Sequence, residues 1–220
     1  MKRGTATREK ILDIAKSAVL AKGFQATSID EIIAEAGITK SGFFYHFHDK
    51  NELARALVRR FRDQVEAVLE DTFGRAGELT DDPLQRFLIG LKLFAELVAE
   101  DHRDGSGCII ASICYQERLF DREVMSSIRD FSQSWRQRFH GYLSDIAKQY
   151  ELAPGVDLDD LSDMLACIID GAIIMARVNN DHRFIERQIL AYRAQVRMAF
   201  PTPRIVVPQR PVAARPSLAA

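Results

Sequence analysis

The chain has 220 residues, of which 47% are hydrophobic and 28% charged, with a formal net charge of −1. That balance describes an ordinary soluble globular protein. The three cysteines, Cys108, Cys114 and Cys167, are too few and too odd in number for a disulfide framework, so a reducing compartment is expected.

The first residues lack the apolar run of a signal peptide. The most apolar stretch, Met164 to Ala176, is interrupted by Asp170 and is shorter than the roughly 20 residues that cross a bilayer. A cytoplasmic location and no membrane partner are expected. Residues 1–62 carry 12 Lys and Arg against 7 Asp and Glu, and the rest 18 against 24. A basic end on an acidic body suits a polyanion, although ordinary surface charge produces the same asymmetry.

Residues 8–22 read as a helix, because Ile11, Ile14, Ala15, Ala18 and Val19 recur at three- and four-residue spacing. Thr7 can cap its start and Gly23 can stop it. A shorter helix begins at Ser28, where Ser28, Ile29, Asp30 and Glu31 have the form of a capping box. Its apolar face is Ile29, Ile32, Ile33 and Ala36, and Gly37 ends it. A third helix, capped by Thr39, runs to about Phe47. Two short helices joined by so tight a glycine-containing turn outline a helix-turn-helix.

A fourth helix starts at Asp49 and carries Leu53, Leu57, Phe61, Val65, Val68 and Leu69 to about Phe73. Further helices are expected at about 83–101, 108–118, 121–151, 158–179 and 183–199. Pro83 suits a first turn and Pro154-Gly155 a break. No β-type alternation of useful length precedes residue 200. Five of the seven prolines fall in 201–220, and that composition cannot offset its ordering entropy, so a disordered tail is expected there. The fold class is therefore all-α: a three-helix helix-turn-helix domain (1–48), a larger helical domain (49–200) and a tail (201–220).

The stretch ITKSGFFYHFHDKNEL, from Ile38 to Leu53, closely resembles the DNA-binding signature of the TetR/AcrR family of repressors. TSIDEIIAEAGI, from Thr27 to Ile38, and the first helix extend the resemblance over roughly residues 8–60. A helix entering the major groove needs small residues at its leading end so that its backbone approaches the bases. Thr39, Lys40, Ser41 and Gly42 supply them, with Lys40 able to donate to guanine or to phosphate. Tyr45 and His46 add donors on the flank. Lys50, Thr27 and Ser28 lie at helix N-termini suited to phosphate. Phe43, Phe47 and Leu53 are expected to hold the three helices together. Family members commonly carry Tyr where this chain has Phe44, so one phosphate-binding hydroxyl is missing.

The resemblance implies a non-enzymatic repressor that binds a palindromic operator as a homodimer, with an effector site in the body. The effector is expected to be a small apolar or amphipathic molecule, and no cofactor or metal is implied. Phe61, Phe87, Leu91, Phe94, Cys108, Ile113, Phe131, Trp135, Phe139, Ile168 and Met175 are the candidate pocket residues, on the ground that apolar content exceeds what thin helix seams require; aromatic and Met residues at helical spacing are more often plain core. The resemblance also pairs the last two long helices with those of a second copy. Ala166, Ile169, Ala172, Ile173, Ala176, Ile185, Ile189 and Val196 are the candidate interface.

Cys108 follows Gly105-Ser106-Gly107 at an apparent helix start, where free amides favour a thiolate. A thiol-based redox or electrophile sensor acting through Cys108 is accordingly the alternative function. The opposing view is a packed, inert thiol. Five scattered histidines without a nucleophile–base or ligand spacing argue against an enzyme. A helical adaptor without DNA function is countered by Lys40, Tyr45 and Lys50.

Overall fold

The computed structural model describes residues 2–203, and the fold is all-α. Nine α-helices run in chain order among the described residues: α1 (Lys2–Ala26), α2 (Ile29–Ala36), α3 (Lys40–His46), α4 (Lys50–Leu79), α5 (Pro83–Asp101), α6 (Ile109–Cys114), α7 (Arg122–Gln149), α8 (Leu158–Asn179) and α9 (Arg183–Ala199). A 3₁₀ turn (Glu117–Leu119) separates α6 from α7. The single helix expected at 108–118 is thus split, since the Gln116 amide turns back onto Ile113, three residues away, in place of the helical partner four residues away.

Helix α1 begins before Thr7, which lies inside it and is not its cap. Gly23, at φ 84° and ψ 162°, breaks its helical path three residues before its end. Helix α4 continues through Gly74 and Gly77 to Leu79, where the Asp82 carboxylate caps the next helix through the Gln85 amide.

The expected tail is partly ordered. Thr202–Pro203 (β2) pairs antiparallel with Tyr150–Glu151 (β1), and the Ala153 amide donates to the Ala199 carbonyl at 2.8 Å. Phe200 is buried beside this pair. Residues 204–220, the rest of the expected disordered tail, lie outside the described residues.

Two hydrophobic cores organise the molecule. One joins α4, α5, α7, α8 and α9 around Phe73, Phe87, Leu91, Phe139, Leu165, Ile189 and Tyr192. Tyr192 donates to the Leu161 carbonyl at 2.8 Å and Arg193 to the Leu88 carbonyl at 2.6 Å, which pins α9 to both α8 and α5. The other joins α1, α2, α3 and the start of α4 around Ile11, Phe24, Ile32, Phe43, Phe47 and Leu53. It also takes in Ile109 and Ile113 of α6 and Val124 and Ile128 of α7, so the N-terminal core continues past the boundary expected at residue 48. None of the described helices is long and apolar enough to cross a membrane.

Candidate nucleic-acid interface

The turn between α2 and α3 is built by three local devices. Ser28 caps α2 by accepting from the Glu31 amide at 3.1 Å. Gly37 sits at φ 65°, ψ 36°, a left-handed conformation that suits glycine, and lets the Ile38 amide reach the Ile33 carbonyl. Thr39 then caps α3 by accepting from the Gly42 amide at 3.1 Å. The expected capping box at Ser28 closes on one side only. The Glu31 carboxylate pairs with Lys22 instead, and that bond holds its pKa below the usual carboxylate range. A variant of the box forms at α4, where Asp49 accepts from the Glu52 amide and Glu52 accepts from the amide of His48, one residue ahead of the cap. The Asp-x-x-Glu spacing at 49–52 was the sequence signal for it.

These devices leave α3 with two unlike faces. Phe43, Phe47 and Leu53 are sealed in the core that holds the three helices together. Outward stand Lys40, Ser41 and Tyr45, the last 82% exposed. The Thr39 and Ser41 hydroxyls lie 3.0 Å apart, and Lys40 is 3.8 Å from the Asp30 carboxylate in a solvated pair. The His46 ring packs edge-on against Tyr45 at 4.9 Å, and Gly42 is half-buried between Thr39 and the core. Phe44 is 43% exposed, so the position lacking a hydroxyl still reaches the surface.

Two candidate phosphate contacts change role. Thr27 is buried, and its hydroxyl donates to the Gly23 carbonyl at 2.9 Å, which removes that hydroxyl from any outside partner. Lys50 is half-buried, with its ammonium bonded to the Phe24 carbonyl at 2.6 Å and 5.8 Å from the Phe24 ring. Desolvation lowers its pKa. Its first task is to tie the start of α4 to the end of α1.

The body holds the other candidates. Phe87, Leu91, Phe94 and Phe139 are fully packed core, with Phe73, Phe87, Phe139 and Tyr142 in mutual ring contact at 4.6–6.1 Å. Ile113 belongs to the N-terminal core. Phe61, Phe131, Trp135, Ile168 and Cys108 are partly buried. Met175 is 42% exposed, on the outside of α8 rather than in a pocket. A cleft of about 190 Å³ lies between the end of α5 and the start of α9, lined by Glu96, Glu100, Arg103, His182, Arg183 and Glu186. It is polar and away from the aromatic candidates.

The candidate interface residues lie mostly on the inner side of α8 and α9. Ala172, Ile173, Ala176, Ile185, Ile189 and Val196 are buried within the chain's own core, because α8 and α9 pack on each other, on α5 and on α7. Ala166 and Ile169 are half-buried. The face left outward is Cys167, Gly171, Ile174, Met175 and Val178 on α8, with Ala191, Ala194 and Met198 on α9. Val178 is 70% and Met198 67% exposed. The spacing 167, 171, 174, 178 repeats at four and three residues, a signal legible in the sequence once the inner face is known.

Cys108 does not carry a stabilised thiolate. Burial and the nearby Asp170 carboxylate push its pKa up to about 12. The helix it precedes, six residues long, offers two amides that lower the value less than these two effects raise it.

Residues 11–57 match the profile of a family described as bacterial regulatory proteins, tetR family. The chain is 28% identical over 168 residues to an uncharacterized HTH-type transcriptional regulator, YvkB, of Bacillus subtilis, covering 76% of this chain and 82% of that one. It is also 28% identical over 155 residues to the HTH-type transcriptional repressor KstR2 of Mycobacterium tuberculosis, covering 69% and 72% respectively. Among solved structures, the regulatory protein TetR from Rhodobacter sphaeroides superposes with a TM-score of 0.71 at 19% identity, over 84% of this chain and 96% of the other.

Proposed function

The chain belongs to the TetR/AcrR family of helix-turn-helix transcriptional regulators, and on that footing we propose that it is a dimeric repressor released from a palindromic operator by a small apolar or amphipathic ligand. The observation that carries the proposal is the two-faced α3: aromatic anchors sealed inside, and Lys40, Ser41 and Tyr45 standing in solvent at the basic end of the molecule.

In this reading α3 enters the major groove. Lys40 and Ser41 meet base edges or phosphates at its leading end, Tyr45 and His46 lie on its flank, and Thr39 and the Ser28 amide side approach the backbone. An ammonium has three donors, so Lys50 offers a phosphate the protons that Phe24 does not use. The outward stripe of α8 and α9 supports a two-fold contact, since exposed apolar side chains at helical spacing call for a partner. Helix α4 is the proposed route of control. Lys50 sits at its DNA end and Phe61 meets Phe131 of the body at 5.6 Å, so a ligand that shifts α4 alters the spacing of the two recognition helices.

Sequencing the DNA that the purified protein selects from a fragmented genomic library tests the proposal. An enriched inverted repeat is expected. A selected pool with no sequence preference overturns it.

A further inference from the structure

The chain holds a single tryptophan, and its indole N–H is sealed from solvent with no hydrogen-bond partner. Interior donors are nearly always paired, because an unmet one forfeits its hydration for nothing. Phenylalanine would keep the ring contacts of Trp135 without that cost. An unmet donor at a ring-lined position therefore marks a place where an acceptor arrives from outside.

The surroundings say what kind of acceptor. Trp135 contacts Phe139 at 4.7 Å, Phe94 at 6.0 Å and Phe131 at 6.4 Å, and Phe131 in turn contacts Phe61 at 5.6 Å. Helices α4, α5 and α7 each give a ring to this row. Beside Phe61 lies a gap of about 10 Å³, lined also by Lys16, Leu57, Arg60, Gln64 and Ile109, about the room of one water. Rings around the site favour a ring-bearing guest by offset and edge-on contact. At the rings themselves the unpaired polar group is a donor, which selects an oxygen acceptor over a cation; Arg60, beside Phe61, is taken up by Asp13 and Glu9 of α1. A carboxylate would have to surrender its hydration among hydrocarbon, so a neutral oxygen suits the site better.

We propose that Trp135 is the polar anchor of the effector site, and that the effector is a neutral, ring-bearing molecule that accepts a hydrogen bond from the indole through a carbonyl-type oxygen. This rests on the reading of the chain as a ligand-released repressor. The guest displaces the Phe61–Phe131 contact as it enters. Phe61 lies about three turns along α4 from Lys50, so the displacement is delivered to the helix that carries the DNA-binding unit.

The test uses full-length protein labelled with ¹⁵N at the indole, where one tryptophan gives one side-chain N–H resonance. Benzophenone and diphenylmethane are the probes, alike in their two rings and different in one carbonyl. Benzophenone is expected to move the indole resonance and to bind about tenfold more tightly, a difference of about 1.4 kcal/mol. In W135F both probes are expected to bind within about twofold of each other. Equal affinity for the unmodified protein overturns the proposal, as does a carbonyl preference that survives in W135F. An indole resonance that neither probe moves at its solubility limit overturns it too, and this readout needs no variant. Because binding is measured without DNA, the two readings fail separately. A carbonyl preference with no change in operator affinity overturns ligand release alone, whereas release by a ligand that leaves the indole resonance unmoved overturns the anchor alone.

Discussion

At the scale of the residue, exposure separates side chains that serve the fold from those available to a partner. Tyr45 is 82% exposed, so Tyr45→Ala is expected to leave thermal stability within about 0.5 kcal/mol while weakening operator binding about tenfold. Lys50 does both jobs. Lys50→Ala leaves the Phe24 carbonyl without its 2.6 Å donor and is expected to cost ~1.5–3 kcal/mol of stability as well as affinity, seen as a lower melting temperature together with a shallower salt dependence of DNA binding. Unchanged stability in Lys50→Ala would show that the Phe24 contact holds nothing together. Cys108 is expected to be inert. With its pKa pushed up to about 12, a fraction of only ~10⁻⁴ is thiolate at pH 8, so a thiol reagent at that pH should modify exposed Cys114 well before Cys108. The ordinary form of Cys108 is the protonated one, and raising the pH toward 12 is what brings reactivity. Operator release by diamide that Cys108→Ser abolishes would reinstate the thiol-sensor reading.

At the scale of the element, helix existence was legible because each helix repeats its apolar residues at helical spacing and stops at a residue with a local reason to stop. Gly37, Asp49 and Pro83 are such residues. The start of α1 was not, since nothing before Ile11 is apolar enough to mark a buried face. The internal bonds of Thr27 and Lys50 were not legible for a related reason. Both lie beside helix N-termini, but a hydroxyl or ammonium there serves the nearest carbonyl first, and which carbonyl is near depends on the break in α1 at Gly23. Which stripe of α8 meets its own chain was not legible, because small and apolar residues surround most of that helix and periodicity alone does not choose between them. Packing between elements also gives a sharp test. A methyl group added at Gly90 of α5 would stand 2.5 Å from the Phe73 ring, which is itself stacked on Tyr142 at 4.6 Å. Gly90→Ala is therefore expected to cost about 1–3 kcal/mol, read as a melting temperature lowered by about 2–4 °C per kcal/mol. An unchanged melting temperature would mean that α4 and α5 pack less closely than described.

At the scale of the whole molecule, the outward stripe of α8 and α9 and the basic N-terminal end have to work together: one joins two copies, the other grips DNA twice. Ile174→Asp or Val178→Asp is expected to give monomers in sedimentation without unfolding the chain, because both side chains are exposed in the single copy. Cys167, on the same stripe, should then react faster with a thiol reagent than in the unmodified protein. The central claim is that two recognition helices, held rigidly by that dimer, read two half-sites about one DNA turn or a multiple apart. The most direct measurement is operator affinity before and after five base pairs, about half a turn, are inserted between the half-sites. A rigid dimer should lose about 100-fold or more, approaching its affinity for unrelated DNA. Unchanged affinity after the insertion would contradict the account, because each chain would then be reading its half-site alone.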